Sequence, residues 1–232
     1  MNKKYKHIFF DLDRTLWDFE TSAIQAFEVI FDKYELEKIG VESARHFHET
    51  YTVHNEKLWD LYRVGKITKD ILRGKRFNLT LKDYDIDNPE MAENIGLDYT
   101  TISPRLVNLF PNAIEILDYL FPKYQLHLIT NGFSEVQEVK LKSSGMDKYF
   151  DKVITSEDAG VKKPDRRIFD FAMEQTNAEF SNSIMIGDDY KVDIVGAQDV
   201  GMDQVFFNPL KEFNSNGCTY EIDDLIELKR FL

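Results

Sequence analysis

The chain has 232 residues, 43% apolar and 30% charged, a globular composition with enough apolar residues for a sizeable core. Its 41 acidic residues outnumber 29 basic ones, and the net charge of −12 excludes broad binding to nucleic acid polymers or to an anionic membrane surface. No apolar run approaches the roughly 18 residues of a membrane span; with one cysteine, Cys218, and no secretory core ahead of Asp11, the expected setting is a reducing cytoplasm.

The first predicted element is a strand at 7–10, a continuous apolar run that ends in Asp11. The next predicted strand is 126–129, after a gap of about 115 residues, far too long for a structureless loop. The intervening sequence is helical. Phe19, Ala23, Phe27, Ile30, Phe31 and Tyr34 keep three- and four-residue spacing, as do Phe47, Tyr51, Leu58, Leu61 and Tyr62. An inserted α-helical domain is therefore expected at 18–103, with Pro104 and Pro111 bracketing the return to the α/β core formed by 1–17 and 104–232.

From there the pattern alternates. Helices are predicted at 112–121, 134–144, 166–175, 192–200 and 223–231, with further strands at 152–154, 183–186 and 204–207. The strand runs are continuous rather than alternating in polarity, as in a parallel sheet covered on both faces. The fold class is α/β, a doubly wound parallel sheet carrying one inserted helical domain.

Ligands of such sheets bind beyond the carboxyl ends of the strands. Asp11 and Asp13 follow the first strand, and Thr130-Asn131-Gly132 the second. Lys162-Lys163-Pro164 lies in the loop after the third, and Gly187-Asp188-Asp189 with Asp193 follows the fourth. Each segment alone has a plainer reading as a turn, a cap or surface charge. Their convergence on one edge is the informative feature. Two carboxylates about 4 Å apart repel by roughly 4 kcal/mol at an effective dielectric near 20, so the cluster calls for a cation or for protonation of some of its members. An all-oxygen donor set suits Mg²⁺, which keeps open positions for a phosphate. One carboxylate can then attack phosphorus, and a second can protonate the leaving oxygen and later deprotonate water. Thr130 and the backbone amides of Asn131 and Gly132 can bind phosphoryl oxygens, while Lys163 neutralises charge.

Other candidates have plainer readings. His46, His48 and His54 fit no zinc spacing and read as a helix face. Phe47, Trp59 and Tyr62 read as core before they read as a base-stacking surface. Gly65-Lys66-Ile67-Thr68 reads equally as a turn or as a specificity loop, and the acidic stretch 83–87 as solvated surface.

Taken together, Phe10-Asp11-Leu12-Asp13-Arg14-Thr15-Leu16 resembles the first motif of the haloacid dehalogenase (HAD) superfamily. Ile129-Thr130-Asn131-Gly132 resembles its second motif, Lys163-Pro164 with Ile168-Phe169 its third, and Gly187-Asp188 through Asp193 its fourth. The resemblance spans the chain and implies a Rossmann-like core with the mobile helical cap of subfamily I. It implies Asp11 as nucleophile and Asp13 as general acid/base. It also implies Mg²⁺ held by Asp11, Asp188 and the backbone carbonyl of Asp13, with Asp193 supporting the metal through water or Lys163. True dehalogenases of the superfamily lack the second aspartate, so Asp13 points to phosphate chemistry. Asn55-Glu56-Lys57-Leu58-Trp59, the Gly65 to Thr68 turn and Thr130-Asn131-Gly132-Phe133 resemble the bacterial pyrimidine 5′-nucleotidase branch. Arg14 departs from the pattern, standing where many members have glycine.

The expected activity is hydrolysis of nucleoside 5′-monophosphates through an aspartyl-phosphate. The alternatives are a sugar-phosphate or phosphoglycolate phosphatase, a β-phosphoglucomutase-type mutase, and a receiver-like sensor. The expected partner is a small phosphorylated metabolite, with the chain a monomer or weak homodimer.

Overall fold

A computed structural model describes residues 5–211 and 217–232. The chain divides into two compact units. One comprises residues 1–19 and 107–232, the other residues 20–106.

The first unit is built on six parallel strands: β1 (His7–Phe10), β2 (Gln125–Thr130), β3 (Lys152–Thr155), β4 (Ser183–Gly187), β5 (Asp203–Phe207) and β6 (Tyr220–Ile222). Their order is β3-β2-β1-β4-β5-β6. β1 pairs with β2 through Ile8↔Leu126 and with β4 through Ile8↔Ile184. The connections therefore run outward in both directions from β1, and the topological switch lies between β1 and β4. That is the place where a crevice opens at the carboxyl ends.

Alternation along the strands divides the core in two. Ile8, Phe10, Leu126, Leu128, Ile184, Ile186, Val205 and Phe207 bury one face against the helix α5 (Ala113–Leu120). Phe9, Ile129, Ile154 and Met185 bury the other against Arg166–Thr176. Because both faces are covered, the strand sequences are apolar throughout rather than every second residue.

The predicted strands are all present, and β6 is an additional three-residue edge strand whose polar Tyr220-Glu221 gave it no apolar run. The helix expected at 192–200 is a π-helical turn, Tyr190–Val195, followed by a short α-helix, Gly196–Asp199. The expected terminal helix is 3₁₀, Leu225–Arg230, capped by Asp224.

The second unit holds four long helices: α1 (Phe19–Lys33), α2 (Ala44–Arg63), α3 (Lys69–Lys82) and α4 (Pro89–Ile102). Ser43, Thr68 and Asn88 accept backbone N–H groups at the starts of the last three. Phe27 of α1 lies at the centre, with ring centroids 5.7 Å from Phe47, 4.7 Å from Tyr51, 6.2 Å from Phe77 and 5.3 Å from Tyr99. One aromatic network thus draws on all four helices, which accounts for the helical spacing of those residues. Tyr62 is buried and meets Trp59 edge-on, while His54 pairs with Asp83 and His46 with the Tyr84 hydroxyl. No helix among the described residues is long and apolar enough to cross a membrane.

Candidate active site

β1 ends by delivering Asp11 to the carboxyl edge of the sheet, where its backbone N–H donates to Ile186 O at 2.8 Å. The chain then folds sharply, and Leu16 and Trp17 N–H both donate to Leu12 O. Arg14 occupies this bend at φ 63, in the left-handed region. That conformation suits glycine, which explains why the position tolerates one. The Arg14 guanidinium lies 5.5 Å over the Phe19 ring and close enough to Asp188 to lower its proton affinity.

Three of the predicted residues, Lys163, Asp188 and Asp193, meet around Asp11. Lys163, only 1% exposed, places Nζ 2.6 Å from Asp11 Oδ1, 2.7 Å from Asp193 Oδ1 and 2.7 Å from the Ile129 carbonyl. Asp11, Asp188 and Asp193 each contribute one oxygen to a group whose atoms lie within 4.8 Å of one another. It is the one cluster of three such metal-ligating side chains found among the described residues, so His46, His48 and His54 form no rival centre. Asp188 Oδ1 accepts from Thr15 Oγ1 at 3.1 Å, and Asp193 Oδ2 accepts from Asp189 N at 3.2 Å. Asp189 caps the π-helical turn through Lys191 N and Val192 N, which brings Asp193 back beneath the strand end. Gly187 is required here, because a Cβ would overlap the Asp193 carboxylate.

The electrostatics of the group follow from its burial. Burial raises the Asp11 carboxyl well above the usual range, and Asp193 and Asp188 add repulsion that Lys163 opposes. Asp188 is pushed up to about 7 by burial and by Asp193. Burial also raises Asp193, against the pull of Lys163. For Lys163 itself burial works downward, but Asp11 and Asp193 outweigh it and hold the ammonium charged. One buried cation against three carboxylates leaves the group short of positive charge. A hard divalent cation with oxygen preference fits that donor set.

The second strand supplies the facing side. Thr130 Oγ1 accepts from Gly132 N at 3.0 Å and from Gln137 Nε2 at 2.8 Å. With both lone pairs engaged, the hydroxyl retains its O–H as a donor. The Asn131 carboxamide brackets the Lys163 backbone, accepting from Lys163 N at 2.8 Å and donating to Lys163 O at 3.0 Å. It thereby fixes the loop that carries the lysine. A Cβ at Gly132 would overlap the Gln137 amide, so glycine admits that side chain.

Asp13 is placed differently. Its carboxylate turns to the helix α6 (Ser134–Ser144), where Oδ2 accepts from Gln137 Nε2 at 2.8 Å and Oδ1 pairs with Lys140 Nζ. The sequence pattern places Gln137 and Lys140 in the helix expected at 134–144 but does not single either out. A signal existed: both fall on one helical stripe with Phe133, which precedes the helix, and Leu141, both buried apolar residues.

Comparison with known proteins points to one family. The family model for haloacid dehalogenase-like hydrolases matches residues 8–207. The chain is 30% identical to the pyrimidine 5′-nucleotidase YjjG of Escherichia coli, over 99% of this chain and 98% of that protein. It is 29% identical to a glyceraldehyde 3-phosphate phosphatase of Methanothermobacter thermautotrophicus, over 98% and 99% of the two chains. Among solved structures, the HAD-hydrolase YfnB of Bacillus subtilis, crystallised bound to magnesium, superposes with a TM-score of 0.89 at 28% identity, covering 98% of each chain.

Proposed function

Because this chain belongs to the haloacid dehalogenase-like hydrolases, we propose that it is a Mg²⁺-dependent phosphomonoesterase acting on nucleoside 5′-monophosphates of the pyrimidine type. The observation that carries the reading is Asp11 itself: a buried carboxylate held by Lys163 beside two further carboxylates, at a sheet edge where Thr130 keeps a hydroxyl proton to donate. Asp11, Asp188 and Asp193, with the Asp13 backbone carbonyl, would hold the ion, whose charge offsets that of the phosphoryl group.

The chain's own residues perform the remaining work. Thr130 donates to one phosphoryl oxygen and the Lys163 ammonium neutralises another while orienting Asp11. Asp11 attacks phosphorus in line, forming an aspartyl-phosphate as the ester P–O bond breaks, and the departing oxygen takes a proton from Asp13. Asp13 then removes a proton from water, whose oxygen displaces Asp11. The helical unit, residues 20–106, acts as a cap that selects the leaving group and excludes water. Interdomain movement in the YfnB structure supports that role.

YjjG supports the nucleotide reading, and the glyceraldehyde 3-phosphate phosphatase supports a sugar-phosphate alternative. A panel of nucleoside monophosphates, triose and hexose phosphates and phosphoglycolate, assayed for released phosphate, separates them. The expected result is the highest kcat/KM on a pyrimidine 5′-monophosphate, abolished by EDTA and restored by Mg²⁺. A sugar phosphate at the top of the panel would replace the substrate assignment. Full activity in EDTA would contradict the mechanism.

A further inference from the structure

Asp13 makes more contacts than a mobile acid/base would need. Both of its oxygens are engaged from one helix, by Lys140 Nζ and by Gln137 Nε2. Both partners are themselves immobilised. Gln137 is fully buried, and the same Nε2 that holds Asp13 also donates to Thr130 Oγ1 at 2.8 Å. Lys140 is 3% exposed, with its ammonium 5.5 Å over the Trp17 ring and 5.6 Å over the Phe19 ring. Those rings sit at the end of the same bend that carries Asp13, where Asp13 forms a β-bridge with Trp17. The flexible lysine stem is thus restricted to one location by packing, and cation–π contacts keep the charge there. Gln137 Oε1 is buried with no hydrogen-bond partner among the described residues. The amide is therefore oriented for what its N–H groups reach, at the cost of an unsatisfied acceptor.

We propose that Gln137 and Lys140 are positioning residues that fix the Asp13 carboxyl at the angle from which it exchanges a proton with the ester oxygen. The inference rests on the reading of Asp13 as the proton carrier. Each Asp13 oxygen uses one acceptor site on α6 and keeps another for a proton in flight. Because Gln137 Nε2 also holds Thr130 Oγ1, one amide sets the spacing between the group that donates the proton and the group that cradles the phosphoryl oxygens. A misplacement on the order of 1 Å at such a point costs about 10²-fold in rate.

Leaving-group dependence tests this without relying on pH. In the first step the P–O(ester) bond breaks while the Asp11–phosphorus bond forms. An alkyl leaving group needs the Asp13 proton, whereas p-nitrophenolate departs without it. The constant kcat/KM reports only events through that first step. Lys140→Met and Gln137→Leu should therefore lower kcat/KM by about 10²-fold on the alkyl phosphate that the wild type turns over fastest. On p-nitrophenyl phosphate the Lys140→Met loss should stay below about threefold, the Gln137→Leu loss should be clearly smaller than its loss on the alkyl phosphate although that variant also frees Thr130, and Lys140→Arg should recover most of the alkyl activity. Asp13→Asn is the reference. If it shows the selective loss while the Lys140 and Gln137 variants lose both activities equally, or neither, the positioning role is overturned and the mechanism stands. If Asp13→Asn itself loses both equally, the proton-carrier reading fails and takes the inference with it. Should Lys140→Met fail to fold, Gln137→Leu decides by the same ratio.

Discussion

Lys163 and Arg76 are both buried cations, one in each unit, and their surroundings have almost nothing in common. Lys163 is ringed by oxygen: two carboxylates at 2.6 and 2.7 Å and a backbone carbonyl. Arg76 is 4% exposed and lies 5.6, 5.3 and 5.2 Å from the ring centroids of Tyr51, Phe77 and Tyr99. Its Nη1 donates to Asn55 Oδ1 at 3.2 Å, and among the described residues no ion pair with a carboxylate is found for it. A lysine ammonium is compact and strongly hydrated, so its burial demands counter-charge. A guanidinium is planar and weakly hydrated and can be covered by aromatic faces. The difference separates a site from a scaffold. Around Lys163 three carboxylates crowd one cation, whereas around Arg76 the charge is covered mainly by aromatic rings, with its Nε buried and without a hydrogen-bond partner among the described residues.

The comparison is sharpened first by Lys163→Met. Turnover is expected to fall by about 10³-fold, because the variant removes both the orientation of Asp11 and the positive charge that offsets the transferring phosphoryl group. Stability should also fall, by about 3 kcal/mol near pH 8, since two buried carboxylates lose their cation. The sign with pH follows from the raised proton affinities of Asp11 and Asp193. A carboxyl whose folded value lies above its unfolded value contributes fully at low pH and loses that contribution as pH rises. The gap between variant and wild type, measured by denaturant unfolding without metal, should therefore be smallest near pH 5 and largest near pH 8. A gap independent of pH would break the account of that cluster.

Arg76→Met is the smaller perturbation. Loss of the aromatic contacts is partly offset by removal of a buried charge, so a destabilisation of about 1–2 kcal/mol is expected. The kcat/KM for p-nitrophenyl phosphate should stay within about twofold, because that substrate asks only for the phosphoryl chemistry. A loss matching that of Lys163→Met would place Arg76 in the catalytic machinery and erase the contrast.

The two units were also unequally legible. The strands β1 to β5 could be read because burial on both faces leaves unbroken apolar runs. The order of polar residues at their ends was enough to single out Asp11, Lys163, Asp188 and Asp193, which the structure brings together. β6 escaped because an edge strand need not be apolar, and the π-helical turn at Tyr190–Val195 depends on Asp189 capping that no periodicity records. Gln137 and Lys140 escaped because residue type suggested solvent while helix phase placed them inside. In the helical unit, spacing revealed the elements and the aromatic core, but not that Arg76 would be drawn into it. Burial of a cation among rings depends on tertiary geometry rather than on local pattern.

The central claim is that Asp11 takes up the phosphoryl group, and it can be observed directly. Wild-type protein with Mg²⁺ and its best substrate, quenched in acid within the first turnover and digested, should yield the peptide containing Asp11 with one added phosphoryl mass, absent in Asp11→Asn. Phosphate released in the first turnover with that peptide unmodified, or with the added mass on another residue, would contradict the account.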